Sequence, residues 1–290
     1  MWLMKKVVFL SIAVCSLLFA SCASSKIEEQ KMHSPARINC SISEKHLASE
    51  SFVFLRLYDV IYDKPLRPGN FLRKPIRMFG KAPDGTAYVH SAISTVLKDD
   101  SFVGLSLSDN KNMARLESVQ NLQMNDYMST INGSKSRCVV LAVPCSKIER
   151  KGIGELLDYA KKEDSGFIYG ITKNLTAAFG HMGNAKKFEH SRNFPIEFSF
   201  DPIPLDREPS EVFTKKTFVC SNFITFILDK TVERYRVGFL INGINPMGYT
   251  PVDLYYLDNI VELFECNFND YDKALEEFLE QYPVFSKFMK

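Results

Sequence analysis

Arg137–Val143, RCVVLAV, constrains the fold more than any other stretch of the chain. Every residue after Arg137 is apolar, so as a strand it offers no face to water and is expected near the centre of a sheet. Three further stretches read as strands. Phe52–Tyr62, FVFLRLYDVIY, is rich in β-branched and aromatic residues and gives way to a stretch broken by Pro65, Pro68 and Gly69. Thr86–Leu97 and Phe102–Asp109 are joined by the polar link Lys98–Ser101, which predicts a β-hairpin. Ile153, Leu156, Leu157 and Ala160 recur on one helical face. Tyr271, Ala274, Leu275 and Phe278 do the same in the tail, where Pro283 ends or kinks the helix. Strands in the middle with helices around them make the fold class α+β. Phe167–Pro209 is irregular and rich in Gly, Asn and Pro; loops of that length often cover a functional site. The expected division is residues 1–21 as a leader, 22–50 as a tether and 51–290 as one domain carrying a long insertion at 172–214.

The leader is expected to export the chain. Lys5 and Lys6 precede an uncharged apolar run, Val7–Phe19, which is too short to span a bilayer comfortably. Phe19-Ala20-Ser21-Cys22 resembles a bacterial lipobox, with Phe19 where Leu is usual. That resemblance implies a lipid on Cys22 and a membrane-anchored lipoprotein of the bacterial cell envelope. Each buried CH₂ of such an anchor contributes about 0.8 kcal/mol. Ordinary signal cleavage and an uncleaved anchor remain as alternatives, and both also export the chain. Losing residues 1–21 removes two lysines and no acid, which leaves 34 basic and 34 acidic residues. A neutral chain gives no electrostatic basis for binding nucleic acid.

Beyond Cys22 lie Cys40, Cys138, Cys145, Cys220 and Cys266, an odd number, so at least one free thiol is expected. Cys220 is the notable one. It follows the strand-like KKTFV and precedes SNFITFILDK, a stretch able to form a helix despite its β-branched residues. At a helix N-terminus its thiolate is favoured, and nearby amides can hold an oxyanion. From residue type alone a cysteine in an apolar run is more often a buried small hydrophobe than a nucleophile. A thiolate nucleophile needs a proton carrier. His33 and His46 lie in or near the tether, and His181 and His190 in the irregular region. His90 sits within a strand, on a face expected to carry Tyr88, Ala92, Ser94 and Val96, where it is held in one orientation. His181, Glu189 and His190 have no recognised metal spacing, and Gly80–Gly85 is a turn without a phosphate-binding lysine. No metal or cofactor is expected.

YVHSAI (Tyr88–Ile93) followed by a hairpin, and much later FVCSNF (Phe218–Phe223), resembles the permuted branch of the NlpC-type papain-like thiol hydrolases. YAKKEDSGFIYG (Tyr159–Gly170) is similar to that family's helix running into a Gly-x-x-Tyr turn. TPVDLYYL (Thr250–Leu257) is similar to its Thr-Pro-x-Asp-Leu segment, so the likeness spans residues 50–257. The resemblance implies a circularly permuted papain-like fold, a small antiparallel sheet or barrel packed against helices. It implies Cys220 as nucleophile and His90 as base. The family's third residue is polar and lies on the strand after the histidine strand; register gives Ser106 that position, with Asp109 at the strand end. A serine stabilises an imidazolium less than a carboxylate does. The family's acid after the Gly-x-x-Tyr turn is replaced by Gly170, and Tyr169 either offers a hydroxyl to the site or packs.

Two functions are expected from this. The first is a cysteine hydrolase that cleaves an amide of cell-wall peptide, or a lipid or other acyl substrate, through an acyl-enzyme on Cys220. The second is a non-catalytic surface lipoprotein that uses the same fold to bind a ligand or partner.

Overall fold

The computed structural model describes residues 36–37, 51–62, 87–105, 114–124, 131–170, 204–243, 245–257 and 260–290. Nine strands are found among them: β1 (Ala36–Arg37), β2 (Ser51–Asp59), β3 (His90–Ser94), β4 (Phe102–Leu105), β5 (Ala114–Glu117), β6 (Arg137–Cys145), β7 (Ile168–Tyr169), β8 (Thr217–Phe218) and β9 (Val261–Asn267). Seven form one sheet in the order β1-β9-β6-β2-β3-β4-β5, and β7 and β8 form a separate parallel pair. From β9 to β5 the six strands are antiparallel, and β1 adds in parallel to β9. The class is α+β, as expected. Ala36–Arg37 fall in the segment expected to be a tether, yet they extend the sheet, and the compact unit runs from Ser34 to Lys290.

The apolar run at 137–143 is in the interior of the sheet, as predicted, and it lies between β2 and β9. Its lack of a polar face has a direct cause. Val139, Leu141 and Val143 enter one core, while Cys138, Val140 and Ala142 enter the other. Each large aliphatic side chain buried this way contributes about 1.5–3 kcal/mol. The first core is closed by α2 (Lys147–Ala160), α4 (Cys220–Thr231), α5 (Glu233–Asn242) and α6 (Pro251–Tyr255). The second is closed by α7 (Tyr271–Gln281) and the 3₁₀ tail Pro283–Phe288. Two short helices, α1 (Val119–Met124) and α3 (Pro209–Val212), are also found among the described residues.

The hairpin of β3 and β4 forms where it was predicted, with a 3₁₀ turn at Asp99–Ser101. Helix α2 begins six residues before Ile153, where the apolar periodicity starts. Ser146 and Glu149 make a reciprocal capping box there, and the Glu149 carboxylate also accepts from the Glu233 amide at 3.1 Å. Tyr271–Gln281 is the predicted tail helix, and Pro283 opens the 3₁₀ turn after it. The leader, the lipobox cysteine Cys22 and most of the insertion at 172–214 lie outside the described residues.

Candidate active site

Cys220 is the first residue of α4. The helix forms despite Ile224, Thr225, Ile227 and Thr231 because burial outweighs propensity: Phe223, Ile224, Ile227 and Leu228 are all sealed in the first core. Ser221 Oγ and Asn222 Nδ2 donate to the Tyr249 carbonyl at 2.6 and 3.0 Å. Those bonds fasten the start of α4 to the segment entering α6, where Thr250 and Asp253 form a second capping box. Val219 at the N-cap contributes no side-chain acceptor. The first-turn amides therefore point beyond the helix end, beside the sulfur.

His90 opens β3, and its ring stacks on Tyr58, the residue directly opposite on β2, at 5.4 Å between centroids. Tyr88 does not share its face. Regular pairing starts at His90, and Tyr88 turns into the first core against Tyr255 at 5.5 Å. His90 and Cys220 lie close enough for each to shift the charge of the other. The third partner is one the sequence reading passed over. His90 Nε2 donates to the Glu117 carboxylate at 2.9 and 3.1 Å. With Nε2 taken, Nδ1 is the ring nitrogen left to exchange a proton. Ser106 and Asp109 lie outside the described residues, as do His181, Glu189 and His190. Tyr169 packs against the first core.

Glu117 ends β5, the outermost strand, and is 3% exposed. Its carboxylate lies across Gly104, where any Cβ would collide with it. Behind it stands a fully buried arginine. Arg56 donates to the Glu117 carbonyl at 2.8 Å, to Tyr58 Oη at 2.6 Å and to the Asp99 carbonyl at 3.0 Å, and it pairs with the Asp99 carboxylate. Asp99 in turn accepts from the Val119 amide at the start of α1. One guanidinium thus holds the backbone of the acid and the ring beneath the imidazole.

The charges follow from this packing. Burial opposes a charged His90, but the Glu117 carboxylate and Cys220 outweigh it and hold the pKa at about 10. Burial likewise pushes the Cys220 thiol up, while His90 and the Ser91 hydroxyl and backbone pull it below its ordinary value, and the pull wins. The imidazolium form of His90 and the thiolate form of Cys220 thus favour each other. Cys220 is 4% exposed and the His90 side chain 15%. Among the described residues no group of three His, Cys, Asp or Glu is arranged to hold a metal ion.

Comparison with protein-family models, curated proteins and solved structures gave no match. Glu117→Gln keeps the shape of the acid but removes the charge that holds the imidazolium. The His90 pKa is expected to fall, and the alkaline limit of cysteine reactivity with it. An NMR titration of the imidazole checks this, and an unchanged midpoint would remove Glu117 from the site.

Proposed function

We propose that the protein is an exported cysteine hydrolase of the permuted NlpC-type papain-like kind, anchored to the membrane through a lipid on Cys22. One observation carries the reading. A thiol at a helix N-terminus lies within electrostatic reach of an imidazole bonded to a buried carboxylate, the three coming from separate parts of the chain. The order of histidine strand before cysteine helix supports the permuted arrangement, as do Tyr249, which is bonded to that helix just before the Thr-Pro-x-Asp-Leu segment, and the antiparallel sheet.

In this mechanism Cys220 Sγ attacks the carbonyl carbon, and the carbonyl electron pair moves onto oxygen. The amides of the first turn of α4 stabilise that oxyanion. The imidazolium gives its Nδ1 proton to the leaving nitrogen, the C–N bond breaks, and a thioester remains on Cys220. Water then adds to the thioester while Nδ1 takes its proton, and the thiolate leaves. Glu117 keeps the ring in one orientation and stabilises its charge throughout. The substrate class is an amide of cell-wall peptide, or a related lipid or acyl compound, reached from the membrane surface.

The non-catalytic reading drew its strength from the lack of an acid beside His90. Glu117 takes away that ground. The deciding experiment incubates the full chain with cell-wall peptide fragments and with acyl esters, and measures the intact mass after acid quench. An acyl adduct on Cys220 that vanishes in Cys220→Ala is expected. No adduct and no cleavage with either class would end the hydrolase reading.

A further inference from the structure

Cys138 on β6 and Cys266 on β9 are direct cross-strand partners, and their sulfurs are 3.7 Å apart. Directly opposed residues in an antiparallel pair have Cα atoms about 4.5–5.5 Å apart, within the range a disulfide spans. A bond needs the sulfurs at about 2.0 Å, a closure that side-chain rotation supplies without moving the strands. Cys138 is fully buried, whereas Cys266 is partly exposed and open to reagents. The flanking residues already join the strands, since Arg137 pairs with Glu265 at 2.5 Å.

The position of the pair gives it meaning. Cys138 lies opposite Tyr58, and Tyr58 lies opposite His90. Cys266, Cys138, Tyr58 and His90 therefore form one row across four neighbouring strands. We infer that Cys138 and Cys266 are a disulfide site, closed by a small-molecule disulfide or a thiol–disulfide oxidoreductase, that staples β9 to β6 and braces the row on which His90 rests. The inference stands whether or not Cys220 is catalytic.

The chemistry balances through exchange. Cys266 sulfur attacks the reagent disulfide, forms a mixed disulfide and releases one reagent thiol carrying the Cys266 proton. Cys138 sulfur then attacks Cys266 sulfur and releases the second reagent thiol with its own proton. The two cysteines are oxidised and one reagent disulfide is reduced. The closed loop spans a sequence separation of 128 residues, long enough to remove much freedom from the unfolded chain.

The test treats the native full chain with oxidised glutathione, then denatures it in a maleimide and maps the peptides. A linked peptide pair holding Cys138 and Cys266 is expected, both sulfurs escaping the maleimide. The melting temperature should exceed that of the dithiothreitol-treated protein by roughly 5–15 °C. In C266S the linked peptide and the temperature difference should both be absent. Maleimide on both cysteines, a glutathione adduct that persists on Cys266, or linkage of either residue to another cysteine would overturn the inference. Should C266S not fold, the wild-type peptide map decides alone.

Discussion

His90→Ala slows alkylation of Cys220 by iodoacetamide at pH 6 by on the order of 10–100-fold, while leaving the helix that carries the thiol in place. In the intact protein two effects oppose each other at the sulfur. Burial favours the neutral thiol, and the imidazolium together with Ser91 favours the thiolate. The variant removes the imidazolium's share of the second and leaves burial in place, so the thiol pKa rises and the reactive fraction at pH 6 falls. The sign over the whole pH range follows. Reactivity climbs as the thiol ionises below its ordinary value of 9, and amide cleavage declines as the imidazolium loses its proton near 10. A wild-type rate at pH 6 no faster than that of a free peptide thiol, or a His90→Ala rate equal to wild type, would show that the two groups do not share a proton.

Arg56→Met has the largest expected effect on stability, about 3–5 kcal/mol, read as a fall in the urea midpoint. Arg56 is wholly buried and meets four acceptors, and its guanidinium lies over the Phe102 ring at 4.1 Å and near the Tyr271 ring at 5.0 Å. Methionine fills much of the volume but strands the Asp99 carboxylate, the Tyr58 hydroxyl and the Glu117 carbonyl. Arg56→Lys is expected to recover little, because a single ammonium cannot span acceptors on three sides. A midpoint shift below that of an ordinary surface substitution would show that the network is decorative.

The parts of the molecule visible in the sequence are those where local pattern and tertiary environment agree. RCVVLAV lacks a polar face because two cores meet on it. Lys98–Ser101 is polar because the hairpin turns there. Cys220 and His90 announce themselves by residue type and chain order. Glu117 does not. Its strand, Ala114–Glu117, is four residues of mixed character, and its tie to His90 spans 27 positions and exists only once β4 and β5 have paired. A charged residue within FVFLRLYDVIY was the available hint of a buried polar network, since an arginine at that point of an apolar strand needs partners. The strand Val261–Asn267 was likewise passed over; its two glutamates, Glu262 and Glu265, interrupt an otherwise apolar run.

The acid and the nucleophile sit at opposite extremes of the architecture. Cys220 starts a helix packed at the heart of the molecule, whereas Glu117 closes a four-residue strand that ends the sheet. Peripheral strands open locally at far lower free energy than interior ones, without the rest of the fold giving way. The imidazole can thus lose its counter-charge in a molecule that is otherwise intact. Arg56 and Asp99, which grip the ends of that strand and the helix after it, set how seldom this happens.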